Sequence, residues 1–470
     1  MAAKPTVEAG PTKRFFVTML TRDIGLEDAI LDLLDNCIDG ILRERRGKPA
    51  TPAPYKGYWA KIVATPTKFE IWDNCGGIPL EVARKSAFML GRPDIEKDTD
   101  IATVGMYGIG MKRAIFKMGR ASTVTSEHAD AAYRVEITPS WLEDDGNWRL
   151  PLQTNVRGFA RDGTKIVVTD LYEAIAHQFS SDRSEFLGTL RKEISRLFAL
   201  IMEKGFEVFL NDEKIKPVEL LLLAPPKDIG TDKGVIRPYV FQGEIDRVNV
   251  SMVVGFYRPL ATEAEINAEQ EQPRSKDEAG WTIICNDRIV LHADKSGVTG
   301  WGTADVPRYH NQFIAISGVV TFTSNVSFAL PLNTTKRGID ISSSVYLFVL
   351  DYMREGVKKF TDFTNKWKTR TEETNAAFAQ LERKRPQDIA KLVTDSAWTA
   401  IRKAADRGTA KRYLPDLPVP EDKERNRRIS FSRPDADVKK VAKALFDDTS
   451  VPPSEVGARC FDDFLSKGKK

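Results

Sequence analysis

Cysteine and histidine are scarce in this chain, four of each among 470 residues. Cys37, Cys75, Cys285 and Cys460 stand far apart, with no Cys-x-x-Cys pair and no histidine cluster beside them. That spacing indicates neither a zinc site nor a disulfide framework, and reduced thiols are expected. Long apolar runs are missing too. The stretch around Leu220 to Ala224 falls far short of the roughly 20 residues a membrane helix needs, and residues 1–14 lack the apolar core of a secretory signal. A cytoplasmic protein with no membrane partner is therefore expected. Nor does one sign of charge dominate: a net charge of +4 makes no global case for nucleic acid. The apolar share of 41%, with 31 Gly and 25 Pro spread through the chain, describes an ordinary globular protein, and this length predicts two or three domains.

Periodicity divides the chain. Apolar Ile30, Leu33, Leu34, Cys37, Ile38 and Ile41 recur at steps of three and four, predicting a helix from Ile24 to about Arg46. Strands are expected at Tyr58 to Ala64 and Lys68 to Trp72, followed by a turn at Asp73 to Gly77. Pro79 suits a first helical turn, so a helix is predicted from there to about Leu90. The polar, glycine-punctuated stretch Gly91 to Gly110 then leads into a helix from Met111 to Met118. A further helix is expected near Arg183 to Lys204 and a hairpin around Asn211-Asp212. The boundaries that result are 1–223 for a first domain and 235–342 for a strand-rich second domain with an acidic insertion near Ala261 to Glu278. The remainder, 343–470, reads as a helical, basic C-terminal region with a Pro- and Arg-rich linker near 407–434. There are no internal repeats.

Three segments carry candidate chemistry. In the first helix Asp32, Asp35, Asn36 and Asp39 fall at i, i+3, i+4 and i+7, one stripe opposite the apolar one. Such a stripe reads either as a solvated acidic face or as a working surface on which Asn36 offers a hard oxygen to Mg²⁺ and a carboxylate one turn earlier polarises a water. The second is Ile71-Trp72-Asp73-Asn74-Cys75-Gly76-Gly77, a strand entering a tight turn. Asp73 there could accept from an exocyclic amine while glycine lets a planar ring approach the backbone; an ordinary Asx turn is the alternative. The third, Gly105, Gly108 and Gly110 ahead of a helix that carries Lys112, exposes amide N–H groups at a positive helix end, a place for phosphate. A plain flexible loop is the bland reading, and neither a Rossmann fingerprint nor a P-loop is present.

In order and spacing these segments resemble the N-box, the DxGxG turn and the GxxGxG lid hinge of the GHKL ATPase superfamily, which joins gyrase, MutL, the heat-shock chaperone of ninety kilodaltons and the sensor histidine kinases. Gly163-Thr164 resembles the fourth element of that family, whose threonine hydroxyl supports the adenine-binding carboxylate. The layout is most similar to stand-alone ATPases of the MutL and microrchidia type. The resemblance implies an α+β fold: a Bergerat sandwich with helices on one face of a mixed sheet, a smaller α/β transducer domain, and the helical C-terminal region. It further implies ATP and Mg²⁺ as cofactors. Asp73 and Gly77 would hold adenine, with Thr164 supporting the carboxylate in the nucleotide site, Asn36 would coordinate the metal, and Gly105, Gly108 and Gly110 would form the lid hinge and phosphate cradle, with Lys112 as a phosphate contact or, equally, a helix-surface lysine. The lid would span roughly Gly91 to Gly110.

The chain departs from that pattern twice. Cys75 stands at the first glycine of DxGxG, and the general base, usually Glu, is Asp32. A side chain shorter by one methylene predicts slow turnover, since misplacing a catalytic group by about 1 Å costs on the order of a hundredfold. In the second domain Pro331-Leu-Asn-Thr-Thr-Lys336-Arg337, after a strand-like run Asn325 to Leu330, resembles the loop by which transducer domains deliver a lysine to the γ-phosphate; Gly280-Trp281 to Leu291 resembles the central strands of that domain. Lys336 is the candidate, a lysine in an ordinary turn the alternative.

The family also implies a homodimer formed on nucleotide binding. Three outputs compete. A DNA-associated clamp in genome maintenance or anti-phage defence is favoured by the loop and by a surplus of about seven Lys and Arg over Asp and Glu from Asp351 onward. A chaperone-like clamp on a protein client is the second. A histidine kinase is disfavoured because His128, His177, His292 and His310 all follow the N-box.

Overall fold

Helix α2, Leu26–Glu44, follows a shorter α1, Lys13–Arg22. Glu27 and Asp28 lie in its first turn, where they complement the positive helix end. Its apolar stripe is wholly consumed: Ile30, Leu34, Ile38 and Ile41 are fully buried, each worth roughly 1.5–3 kcal/mol of apolar burial. The acidic stripe is not a solvated face. Asp32, Asp35 and Asp39 are buried, and of the four residues only Asn36 is exposed.

These features belong to a computed structural model that describes residues 12–89, 109–129, 131–156, 158–180, 185–262, 264–266, 278–333, 337–401, 408–420 and 430–467. Among the described residues no helix is long and apolar enough to cross a membrane.

The first sheet has eight strands: β1 (Trp59–Thr65), β2 (Lys68–Asp73), β3 (Gly119–His128), β4 (Ala131–Ile137), β5 (Leu152–Thr154), β6 (Gly163–Leu171), β7 (Glu207–Leu210) and β8 (Glu213–Lys214). Their order is β5-β4-β3-β6-β2-β1-β7-β8, mixed because β1 and β7 run parallel. Alternate residues of β1 and β2, among them Ala60, Ile62, Phe69 and Ile71, are buried in one core with α2, with Ala114 and Ile115 of helix Gly110–Met118, and with helices Glu185–Leu197 and Ala199–Glu203. The single helix expected near Arg183 to Lys204 is thus two, parted at Phe198. The Asn211-Asp212 hairpin forms with both residues at positive φ, the type I′ pattern that suits strand twist. The helix expected from Pro79 to Leu90 does not run on. Pro79 is the N-cap of three helical residues, Leu80–Val82, and the chain widens into a π turn over Ala83–Ala87.

The second sheet is ordered β13-β12-β14-β11-β10-β17-β16. Its strands are β10 (Tyr239–Ile245), β11 (Val248–Phe256), β12 (Gly280–Cys285), β13 (Arg288–Asp294), β14 (Ile316–Thr323), β16 (Thr399–Ala400) and β17 (Gly408–Tyr413); β9 (Leu222–Ala224) pairs apart from it with β15 (Glu382–Lys384). Helix Ser344–Trp367, capped by the Ser343 side chain, packs its Val345, Val349, Met353, Val357 and Phe360 into the core beneath this sheet. Three details differ from the sequence reading. Residues 408–413 are not linker but a strand paired along β10. The β12–β13 hairpin forms an edge of the sheet and not its centre. Within Asn325 to Leu330 the chain makes a 3₁₀ turn, Ser327–Ala329, in place of a strand. Residues 1–419 form one compact unit. Residues 420–470 form another, in which helices Asp435–Phe446 and Pro453–Lys467 pack together, with Ala442 and Val456 their buried residues.

Candidate functional site

Strand β2 ends at Asp73, whose register opposite Ala60 turns its side chain to the buried face under α2. Asp73 Oδ1 accepts the Cys75 amide at 2.8 Å. Burial raises the carboxyl to about 6, against donation from the Cys75 amide, the Cys37 thiol and the Thr164 amide, all of which favour the charged form. Thr164 therefore supports Asp73 through its backbone, while its hydroxyl lies 3.1 Å from Ser126 Oγ. Ser126 in turn accepts the Ile78 amide at 2.8 Å and donates to the Gly163 carbonyl, tying the turn after β2 to β3 and β6. Gly77 adopts φ +63° there, and a Cβ on it would lie 1.9 Å from the Glu127 carbonyl oxygen. Only glycine fits that crossing.

One helical turn before Asn36, Asp32 faces the start of helix Gly110–Met118. A Cβ on Gly110 would sit 3.3 Å from Asp32 Oδ2, and Arg113 Nη2 donates to the same oxygen at 2.9 Å. The arginine is a site residue that the sequence reading missed; its place one turn past Gly110, on the helix that meets α2, was the available signal. Lys112 is buried, and its Nζ donates to the Ala87 carbonyl at 2.9 Å, serving the end of the π turn. It lines a cavity of about 690 Å³ with Phe88, Phe116, Val135 and Trp141, whose lining includes neither Asp73, Asn36 nor Thr164. Gly105, Gly108 and Lys336, with most of the expected lid, lie outside the described residues.

Behind the site, the second sheet reaches α2. Arg288, at the start of β13, directs Nε at Asp35 Oδ1 over 2.8 Å, both side chains 2% exposed. Its Nη1 donates to the carbonyls of Leu197 and Ile289, and its guanidinium lies 4.1 Å from the centre of the Phe198 ring. The neighbouring turn residue Asp287 accepts from Tyr55 Oη at 3.0 Å and Lys204 Nζ at 2.6 Å. Arg337 reaches the same helix from another direction, pairing with Asp28 one turn before Asp32 and with Glu193.

The arrangement is a buried carboxylate at a strand end, an exposed carboxamide on the helix packed over that sheet, and a glycine-led helix start against the acidic residue one turn before the carboxamide. Residues 24–157, which contain all of these, match the family model described as histidine kinase-, DNA gyrase B- and HSP90-like ATPase. No curated protein matches the chain. Residues 24–157 are thus similar to the ATPase domain of the GHKL superfamily.

Proposed function

We propose that the chain is a nucleotide-gated switch that binds Mg²⁺-ATP in its first domain and hydrolyses it slowly. The observation that carries this reading is Asp73: a carboxylate buried at a strand end, held by two backbone amides, within the segment that matches the ATPase family. A buried acceptor so placed suits the exocyclic amine of adenine, which would relieve its burial cost with a hydrogen bond. Asn36 is the residue that would hold Mg²⁺, and the fit is chemical: a neutral hard-oxygen donor, exposed, on the helix that also carries Asp32. The metal would neutralise phosphate charge. Calorimetry of the purified chain with ATP, with and without Mg²⁺, tests the reading; uptake weakened roughly ten- to a hundredfold in Asp73→Asn supports it, and no uptake by the parent chain refutes it.

In this reading Asp32 orients the attacking water. Its ion pair with Arg113 must loosen for it to act, which adds to the short side chain as a reason for slow turnover. Lys336 is proposed as the second domain's contact to the γ-phosphate. The pairing of its neighbour Arg337 with Asp28 supports that assignment, because it fixes the end of the loop one helical turn from Asp32. A Lys336→Ala chain that closes normally on a non-hydrolysable analogue would refute it. The output we propose is a clamp, dimeric when nucleotide is bound, acting on DNA; the basic surplus after Asp351 favours DNA over a protein client. Salt-dependent duplex binding is the check, since phosphate contacts release counterions.

A further inference from the structure

Two cysteines that stand 38 positions apart in sequence meet at Asp73. The Sγ atoms of Cys37 and Cys75 and a carboxylate oxygen of Asp73 all lie within 4.8 Å of one another. Cys37 sits on α2 directly after Asn36, and Cys75 is two residues past Asp73, in the turn where the resembling motif has glycine. Both thiols are buried. Cys37 Sγ donates to the Leu33 carbonyl at 3.3 Å and Cys75 Sγ lies 3.7 Å from the Trp59 carbonyl, and both thiols also hydrogen-bond to the Asp73 carboxylate. Both side chains also belong to the core beneath the first sheet.

We propose that Cys37, Cys75 and Asp73 form a site for a thiophilic divalent cation of the zinc class, and that occupation of this site and adenine binding at Asp73 exclude one another. The exclusion rests on the adenine reading of Asp73; the coordination does not. Thiolate sulfur and carboxylate oxygen are both donors that zinc accepts, and three of them on a tetrahedral ion would leave a fourth position open. Soft sulfur selects against Mg²⁺, so the hard oxygen of Asn36 and the soft pair beside it would sort two kinds of cation on adjacent residues of one helix. On binding, each S–H gives its proton to the buffer and a metal–sulfur bond replaces it, with no change of oxidation state.

The same burial argues against a disulfide as the use of this pair. Hydrogen bonding between the two thiols pulls Cys37 down, yet burial and the Asp73 charge carry it up to about 11. Burial also holds Cys75 well above its ordinary range. Neither is a thiolate nucleophile at neutral pH, whereas a bound dication supplies the driving force for deprotonation itself.

The test uses the full chain carrying Cys460→Ser, which removes the exposed thiol, titrated with Cd²⁺ and followed by the ultraviolet thiolate-to-cadmium charge-transfer band. The expected result is a band that saturates at one equivalent, is displaced by Zn²⁺, and weakens at least about tenfold in affinity in both Cys37→Ala and Cys75→Gly. Circular dichroism reports whether each variant is folded. With stoichiometric Zn²⁺, affinity for Mg²⁺-ATP measured by calorimetry falls by about tenfold or more, and in Cys37→Ala it no longer responds to Zn²⁺. No band in the parent, or an undiminished band in both folded variants, overturns the site. A band with unaltered ATP affinity overturns the exclusion. A band from a chain that takes up no nucleotide with or without Zn²⁺ supports the site and locates the failure in the nucleotide reading.

Discussion

The first sheet's core buries charge where the second sheet's core buries rings. Beneath the first sheet, Asp32, Asp35, Asp39 and Asp73 are all withdrawn from solvent along one helix and one strand end. Beneath the second, Phe241, Phe256, Phe322, Phe360 and Trp281 fill the core, and Phe256 alone packs against Phe360, Phe363 and Phe378. An apolar core of that kind resists deformation as a body. Buried carboxylates do the opposite: each sits where its charge is costly without its partners, as Asp32 has Arg113 and Asp35 has Arg288. The difference teaches that, within one compact unit, the charged residues are gathered on the side of the candidate site and the rings on the other. The two meet at Arg288 and Asp35, where the second sheet supplies a cation to helix α2.

The largest blow to this contrast is removal of that cation. Arg288→Met strips buried Asp35 of its guanidinium partner, an expected loss of about 3–5 kcal/mol in urea unfolding, whereas a double change to apolar residues at both positions should recover much of it. Next comes Phe256→Ala, expected to cost about 3–4 kcal/mol by opening the ring cluster. Its ATP affinity, measured by calorimetry under conditions where the variant is folded, should match the parent; a large change there would erase the distinction between the two cores.

Asp73→Asn sharpens the comparison at the candidate site. Its carboxyl, raised to about 6 by burial, lies above the unfolded value near 3.9. The parent thus loses stability as pH rises from about 4 through 6, by up to about 3 kcal/mol. The Asn variant should escape that loss, and the gap between their melting curves should open over this window and hold constant above it. ATP affinity should move the other way. It falls in the parent as pH drops through about 6 and the acceptor takes up a proton, and in the variant it is weaker by roughly ten- to a hundredfold at pH 7. The smallest effect is expected from Arg113→Ala, which removes the guanidinium from Asp32. ATP turnover in a phosphate-release assay should rise a few-fold, the scale of one partly exposed ion pair, with little change in affinity.

Much of this was legible in the chain before folding. Helix α2, the β2 strand with its turn, and the Asn211-Asp212 hairpin announced themselves because apolar spacing and turn chemistry are local properties. The acidic stripe was visible as a pattern, but its burial was not: what covers Asp35 is Arg288, more than 250 positions away. Cys37 and Cys75 escaped for the same reason, since spacing rules see neighbours in sequence and these meet only across a helix and a strand end. The stretch after Pro79 carries helical residues, yet it opens into a π turn whose final carbonyl is taken by buried Lys112, a tertiary contact overriding local preference. Strand β17 was hidden by its setting among prolines and arginines.

That late strand has a consequence for how the protein is made. The edge of β10 finds its partner only when residues 408–413 leave the ribosome, after the whole of helix Ser344–Trp367 has been synthesised. Until then a nascent second domain presents an open row of amides and carbonyls, the kind of edge that recruits stray chains. Shortened versions ending before Gly408 should consequently clump during expression even though residues 24–157 are intact, and a soluble fragment is best sought by cutting after Val419.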